Sequence, residues 1–192
     1  MLAKKFKDYH IILASQSPRR QELLAGLDIS FTTMPLHVDE SYADTLQGKD
    51  ITEYLCHKKA QAYQDWQPND ILITADTIVW KDGKALEKPK NAEEAKEMIS
   101  NLQNTKHTVI SSVGIFSPTK ERIFSDTTQV TFGKISPEEI SYYVDKYAPL
   151  DKAGAYGVQE WIGYIGVKKL EGSYYTVMGL PVYRLYQELK DF

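Results

Sequence analysis

Short β-rich runs alternate along this chain with stretches that carry helix-capping residues, and no other feature limits the possible folds as strongly. Strands are predicted at residues 10–15, 29–34, 71–80, 108–116 and 123–132, and helices at residues 17–26, 50–66, 91–102, 136–147 and from 181 onward. Such alternation is typical of layered α/β folds. We expect the 192 residues to form one domain, residues 1–192, in which a mixed twisted sheet is flanked by helices.

The composition limits the classes of partner that this protein can bind. The chain has 23 basic and 26 acidic residues and a net charge of -3, so no overall positive field is available to attract nucleic acid or an anionic membrane. Its apolar runs are far shorter than the roughly 20 residues that span a bilayer. The single cysteine, Cys56, excludes an internal disulfide, and the four histidines lack zinc-site spacing. We expect a cytoplasmic protein in which any anion-binding site is built by a local group of residues and not by the overall charge.

The polar turn between the first predicted strand and helix is a candidate phosphate site. It comprises residues 15–20, with the sequence SQSPRR. Free N–H groups and the positive dipole end at a helix N-terminus favour an anion. Arg19 and Arg20 add planar donors that match phosphate oxygens. The alternative is an ordinary surface helix with Ser17 as its N-cap and solvated arginines.

Asp76 interrupts the most β-like window of the chain, residues 71–80. Burying a carboxylate among isoleucine and valine is costly unless a cation or a metal accompanies it, so we expect a positive partner. Asp76 is either a catalytic carboxylate or a structural aspartate bonded to backbone amides at the strand end. Lys59 and Lys88 are further basic residues, although either one alone would normally be a solvated charge.

A segment rich in small residues, DKAGAYGVQ at 151–159, is a candidate binding loop. Its small residues allow a ligand to approach the backbone closely, while Lys152 and Gln159 supply polar contacts. A turn that needs positive φ at Gly154 and Gly157 would explain the glycines equally well.

Together these segments resemble the Maf family of nucleoside triphosphate pyrophosphatases, from Leu13 to Pro181. Seven pieces match in order: SQSPRR at 15–20, KA at 59–60, ADT at 75–77, EKP at 87–89, ISPEEI at 135–140, DKAGAYGVQ at 151–159 and GLP at 179–181. The resemblance implies an ITPase-like, Maf-like fold with an active-site cleft between two lobes. It also implies hydrolysis of a nucleoside triphosphate between its α and β phosphates, which releases the monophosphate and pyrophosphate and requires a divalent cation, Mg²⁺ or Mn²⁺.

The DKAGAYG loop followed by glutamine is similar to the family branch that acts on dTTP and UTP, since the branch associated with 7-methyl-GTP differs there. The resemblance therefore implies cleansing of the nucleotide pool, with modified pyrimidine triphosphates as further substrates, by a homodimer that needs neither nucleic acid nor membrane. Two alternatives stay open: a pyrophosphatase of the 7-methyl-GTP type, and a nucleotide sensor that regulates cell division without hydrolysis.

By the same resemblance, Asp76 is the proton acceptor, and Arg19, Thr77 and Gln159 set the substrate preference. The residues implied in phosphate binding are Ser15, Ser17, Arg19, Arg20, Lys59 and Lys88. Asp76 and Glu40 are the implied metal ligands, although Asp39 is easily confused with Glu40. The pKa of free water lies far above that of an aspartate, so such a base is expected to need help from a cation.

Overall fold

Helices and strands follow the predicted alternation in a computed structural model that describes residues 1–192. The elements are α1 (Leu2–Lys5), β1 (His10–Leu13), α2 (Pro18–Ala25), β2 (Thr32–Thr33), α3 (Lys49–Gln61), β3 (Asp70–Lys81), β4 (Lys84–Leu86), α4 (Ala92–Leu102), β5 (Lys106–Phe116), β6 (Glu121–Phe132), α5 (Pro137–Tyr147), a 3-10 turn (Ala153–Ala155), α6 (Trp161–Gly166), β7 (Val167–Glu171), α7 (Tyr174–Met178) and α8 (Val182–Asp191). None of the helices is both long and apolar enough to cross a membrane.

The strands form one seven-stranded sheet in the order β2-β1-β3-β5-β6-β7, with β4 added beside β3. Strand β1 is parallel to β2 and β3, whereas β4 is antiparallel to β3 and β7 is antiparallel to β6. The predicted mixed sheet is therefore confirmed. Because β1 and β3 are parallel, with Leu13 opposite Ile73, the turn that follows β1 lies next to the later residues of β3.

The chain divides into two compact units. The first contains Met1–Asp76, Ser111–Asp126 and Gly179–Phe192, and the second contains Thr77–Ile110 and Thr127–Met178. Strands β3, β5 and β6 contribute residues to both units. That the whole chain acts as one domain stays a prediction.

In the first unit, the side chains of β1 alternate between two apolar clusters, as expected for a strand with period two. Ile11 and Leu13 lie in one cluster, and Ile12 and Ala14 lie in the other. Strand β3 alternates in the same way: Ile73 packs in the first cluster, whereas Leu72 packs in the second. Both strands are therefore buried on both faces, which explains their nearly continuous apolar sequences.

In the second unit, the predicted start of α5 is confirmed in detail. The Ser136 hydroxyl accepts from the Glu139 N–H at 3.3 Å, and the Glu139 carboxylate accepts from the Ser136 N–H at 2.7 Å. This reciprocal pair satisfies two N–H groups that a helix N-terminus otherwise leaves unbonded. Asn91 likewise caps α4, since its side chain accepts from the Glu94 N–H at 2.8 Å.

Two tight turns join consecutive strands. Between β3 and β4, Asp82 and Gly83 both have positive φ, 50° and 77°, as a tight two-residue hairpin requires. Between β5 and β6, the Ser117 N–H donates to the Lys120 carbonyl at 2.8 Å and closes that turn.

Two local predictions are wrong. Helix α3 begins at Lys49 after Gly48, whose φ of 53° gives an N-cap without any side-chain bond, and it ends at Gln61 rather than near residue 66. Strand β2 has two residues instead of six, because only Thr32 and Thr33 pair with β1. Ser17 is the N-cap of α2, as predicted, although its side chain makes no capping bond. Strand β7 and the short helices α1, α6 and α7 were not predicted from the sequence.

Candidate functional site

Asp76 lies near the middle of β3, and its carboxylate meets a lysine from α3. The Lys59 ammonium donates to Asp76 Oδ1 at 2.7 Å and to the Ala75 carbonyl at 3.3 Å. The same ammonium lies 2.9 Å from Glu40 Oε1. The side chains of Lys59 and Asp76 are only 9% and 11% exposed. The positive partner predicted for Asp76 is thus present, and it is a lysine that sequence reasoning alone treated as a solvated charge.

The electrostatics of Asp76 balance burial against nearby positive charge. Burial raises the pKa of the Asp76 carboxyl, while the charges of Lys59 and Arg20 lower it and the neighbouring Glu40 raises it further; the pKa is raised overall. Burial also raises the pKa of the Cys56 thiol, to about 12, with a further contribution from Asp76. Cys56 therefore stays a neutral thiol, and burial makes the Asp76 carboxyl easier to protonate than a free aspartate.

The other aspartate of the same strand, Asp70, has a different environment. Burial would raise its pKa, but hydrogen bonds from Tyr63, Gln67 and His10 outweigh this effect and lower the pKa. Tyr63 OH and the Gln67 N–H donate to Asp70 Oδ2 at 2.6 and 2.9 Å. Asp70 is thus a structural aspartate, and the pKa of Asp76 is shifted in the opposite direction.

The turn at residues 15–20 is adjacent to this cluster. Arg20 donates from Nη1 to the Ala75 carbonyl at 2.9 Å and from Nε to the Gly179 carbonyl at 3.0 Å. These bonds attach α2 to β3 and hold the guanidinium near Asp76. Ser15 is buried, and its hydroxyl accepts from the Ser17 N–H at 3.2 Å. Arg19, on the first turn of α2, is half-buried.

Glu40 and Asp39, which the sequence could not distinguish, have different partners. Glu40 lies against Lys59, whereas Asp39 Oδ1 accepts from the Ser41 N–H at 2.9 Å and Asp39 Oδ2 lies 3.7 Å from Lys58 Nζ. Hydrogen bonds from Ser41 lower the pKa of Asp39. Glu40 is therefore the acidic residue of this segment that joins the Asp76 cluster.

The donor set at Asp76 and Glu40 fits a divalent cation that arrives with a phosphate ligand. No group of three or more histidine, cysteine, aspartate or glutamate side chains is arranged to hold a metal by itself. Mg²⁺ is commonly bound by one or two carboxylates together with substrate phosphates and water. Two carboxylates that already converge on one ammonium, at 2.7 and 2.9 Å, supply hard oxygen ligands of that kind.

The remaining predicted residues, Thr77, Lys88 and Gln159, belong to the second unit. Thr77 is half-buried on β3, and Lys88 is exposed in the segment after β4. The Gly154 N–H donates to the Glu87 carbonyl at 3.1 Å, which brings the Lys88 segment next to the 151–160 loop. Gly154 has a φ of 67°, and a Cβ there would lie 2.8 Å from a methyl group of Val79. A side chain is thus excluded by backbone conformation and by packing.

Three residues that sequence reasoning did not connect organise this loop. The Tyr143 hydroxyl donates to Glu160 Oε2 and accepts from the Gly157 N–H at 3.1 Å. The Lys152 ammonium lies 3.2 Å from Glu160 Oε1 and 2.7 Å from Asp151 Oδ1. Tyr143 and Glu160 are separated by 17 residues, and no local pattern signals that a helical tyrosine faces a loop. Only the capping motif that places α5 was visible in the sequence.

The fold defines the structural class of the protein. The structure is similar to the solved structure of the Staphylococcus aureus Ham1 protein, with a TM-score of 0.51 and 16% identity over 93% of this chain and 99% of that one. At this identity the likeness shows the fold alone, and it confirms the predicted ITPase-like α/β class.

Sequence comparisons identify the family. The profile of the family described as Maf-like protein matches residues 10–192. The chain is 53% identical to a dTTP/UTP pyrophosphatase of Bacteroides thetaiotaomicron over 95% of each chain. It is 50% identical to the dTTP/UTP pyrophosphatase of Parabacteroides distasonis over the full length of both. The chain belongs to the Maf family.

Proposed function

We propose that this protein is a nucleoside triphosphate pyrophosphatase that hydrolyses dTTP and UTP to the monophosphate and pyrophosphate. The observation that carries the proposal is the cluster of Asp76, Lys59 and Glu40, in which a buried carboxyl with a raised pKa lies on a rigid strand beside two cations, Lys59 and Arg20. The family membership and the dTTP/UTP pyrophosphatases at about 50% identity support the same activity.

In the proposed reaction, a water molecule attacks the α-phosphorus. A bond forms between the water oxygen and this phosphorus, and the bond from the phosphorus to the oxygen that bridges it to the β-phosphate breaks. Asp76 accepts the proton that the water loses. Lys59 contacts Asp76 Oδ1, so we assign the proton to Oδ2. A general base is most effective when its pKa lies near the working pH, and burial moves the pKa of Asp76 in that direction.

The phosphate groups are the part of the substrate that needs positive charge. We assign Ser15, Ser17, Arg19, Arg20, Lys59 and Lys88 to this role. The α2 N-terminus adds free N–H groups, and Lys59 offers an ammonium that is already held in place by two carboxylates. A divalent cation, Mg²⁺ or Mn²⁺, held by Asp76 and Glu40 would neutralise phosphate oxygens and lower the pKa of water.

We assign recognition of the base to Gln159, together with Arg19 and Thr77. Uracil and thymine present an acceptor, an N–H donor and an acceptor along one edge, and a glutamine amide carries both an acceptor and donors that match part of it. Gln159 Oε1 has no hydrogen-bond partner within the protein. This oxygen is buried in the unliganded protein, so binding of a ligand N–H requires the side chain to turn toward the base, and that movement breaks no internal bond to Oε1.

The test is a turnover panel of dTTP, UTP, CTP, GTP and 7-methyl-GTP with Mg²⁺, with Mn²⁺ or with a chelator. We expect UMP or dTMP together with pyrophosphate from UTP and dTTP, and loss of this release in the chelator. Release of orthophosphate, or a preference for 7-methyl-GTP, contradicts the proposal. Tight binding of UTP without any UMP formed over hours would instead support a nucleotide sensor.

The proposal includes a cytoplasmic homodimer, in keeping with what the family resemblance implies. Sedimentation equilibrium of the full chain measures the oligomeric state. A single species with the mass of one chain, 21.9 kDa, at micromolar concentration would contradict the dimer and leave the proposed reaction unaffected.

A further inference from the structure

A buried polar cluster in the second unit has no part in the reaction as proposed. It consists of Tyr143, Lys152 and Glu160, and we call it the Glu160 cluster. The Tyr143 hydroxyl donates to one carboxylate oxygen of Glu160, and the Lys152 ammonium lies 3.2 Å from the other. Tyr143 is fully buried and Lys152 is 8% exposed. Both oxygens of Glu160 are thus held by buried partners, one from α5 and one from the loop.

This cluster fixes the main chain on both sides of Gln159. Tyr143 OH also accepts from the Gly157 N–H at 3.1 Å. The Glu160 N–H donates to the Gly157 carbonyl at 3.0 Å, and the Glu160 carbonyl accepts from the Gly163 N–H at 2.8 Å. A Cβ at Gly157 would lie 2.8 Å from the carboxyl carbon of Glu160, so this carboxylate packs directly on the loop backbone. One tyrosine therefore holds both ends of the turn at 157–160.

The amide of Gln159 has no comparable support of its own. Its Oε1 is buried and makes no hydrogen bond. A buried acceptor without a partner is unfavourable, and in native proteins such an atom usually has a specific explanation. No hydrogen bond fixes Oε1, so the position of this side chain is set by packing and by the backbone of the turn, which the Glu160 cluster holds.

We propose that Glu160, held between Tyr143 and Lys152, is a positioning residue that fixes the turn at 157–160 so that Gln159 distinguishes uracil and thymine from other bases. The inference rests on the proposed function. Buried ion pairs are often no more stabilising than apolar residues of the same size. Positioning the amide of Gln159 gives Glu160 a role beyond stabilising the fold.

The direct test is calorimetric binding of UTP and CTP with Mg²⁺ to protein that carries Asp76→Asn, so that turnover does not interfere. Cytosine has no N–H at the ring position where uracil has one, so CTP measures binding without that contact. Adding Glu160→Gln or Tyr143→Phe should weaken UTP binding about tenfold and change CTP binding less than twofold. The ratio of the two affinities should fall accordingly.

Matched controls separate this effect from general damage to the second unit. Glu171→Gln removes the charge of an exposed glutamate paired with Lys169, and Tyr142→Phe removes the hydroxyl of the adjacent, exposed tyrosine. Neither should change the UTP to CTP ratio. An unchanged ratio of UTP to CTP affinity in Glu160→Gln, whether both affinities fall equally or neither falls, would overturn the inference. Among these variants, only Tyr143→Phe should show faster hydrogen exchange at the Gly157 amide.

Steady-state kinetics on the chain with Asp76 intact distinguish this inference from the proposed function. Glu160→Gln should raise KM for UTP about tenfold and leave kcat within about twofold, because the proton acceptor is unchanged. Suppose that the wild-type chain hydrolyses UTP but Glu160→Gln has the same KM and the same UTP to CTP affinity ratio as Glu171→Gln. The positioning role then fails while the function stands. If the wild-type chain releases no UMP but the binding ratio still falls in Glu160→Gln, the function fails while the positioning role stands.

Discussion

Each unit of the molecule contains a buried lysine between two carboxylates. Lys59 lies 2.7 Å from Asp76 and 2.9 Å from Glu40, and Lys152 lies 2.7 Å from Asp151 and 3.2 Å from Glu160. The two lysine side chains are 9% and 8% exposed. We propose different roles for these two clusters although they share the same set of charges, so the composition of a cluster does not by itself define its chemistry.

The difference lies in which acid is buried. At Lys59, burial raises the pKa of a carboxyl, Asp76, and produces a group that can take up a proton. At Lys152, the buried acid is the phenol of Tyr143, whose pKa is raised by burial and by the adjacent Glu160. A phenol with a raised pKa stays protonated, so Tyr143 keeps donating to Glu160 while it accepts from the Gly157 N–H. The first cluster is thus suited to proton transfer and the second to fixing a loop.

Removal of the proton acceptor should give the largest effect. We expect Asp76→Asn to lower kcat for UTP by about 10²–10⁴-fold, the typical contribution of a general base, while UTP binding is largely retained. The measurement is pyrophosphate release under saturating UTP, with circular dichroism to confirm folding.

Asp70→Asn is the matched control, since it is a buried aspartate on the same strand. It should lower the free energy of unfolding by about 1–3 kcal/mol, because hydrogen bonds from Tyr63 and Gln67 lose a charged acceptor, while kcat stays unchanged. Equal kcat losses in the two variants would remove the special role of Asp76.

The second prediction breaks the first cluster at its lysine. Lys59→Met leaves Asp76 and Glu40 without their shared cation, which should destabilise the protein by about 3 kcal/mol. It should also move the acidic limb of the kcat profile to higher pH, because the positive charge of Lys59 lowers the pKa of Asp76. Lys58→Met, at the next position of α3, should do neither. A profile that stays in place would show that Lys59 does not tune the base.

These two clusters also show where sequence reasoning succeeds and where it stops. Burial of Asp76 and its need for a positive partner were predictable, because the apolar run around it and the cost of a lone charge are visible in the sequence. The partner itself was not, because Lys59 meets Asp76 only through packing of α3 on β3.

The same limit applies to the helix starts. The α5 capping box was predictable because both its members are local. The start of α3 was not, because a positive φ at Gly48 leaves no side-chain signature.

The third prediction disturbs only the 151–160 loop of the second unit. Gly154→Ala places a methyl group against Val79 at a φ of 67° and should cost about 2–3 kcal/mol in unfolding free energy. It should raise KM for UTP while the pH profile of kcat is unchanged. Gly83→Ala is the control: its φ is 77° but nothing lies within 4 Å, so only the backbone cost of about 1 kcal/mol remains. An equal loss in both variants would mean that contact with Val79 contributes nothing.

The smallest effect is a difference in pH response between the two regions. Burial lowers the pKa of His107, in the second unit, to about 4, with a further contribution from Lys81. The unfolded chain takes up this proton near pH 6.5 and the folded chain does not. The stability due to neutral His107 is therefore complete above pH 6.5 and is lost as the pH falls toward about 4.

Asp76 has the opposite sign, since its raised pKa favours the folded state at low pH and loses that contribution as the pH rises through the folded pKa. Urea unfolding at several pH values between 4.5 and 7.5 separates the two. His107→Gln should flatten the loss of stability on acidification by up to about 1.36 kcal/mol per pH unit, and Asp76→Asn should make it steeper. If His107→Gln unfolds with the wild-type pH dependence, the imidazole is protonated in the folded state and its bond to Tyr156 OH, at 2.7 Å, survives the added charge.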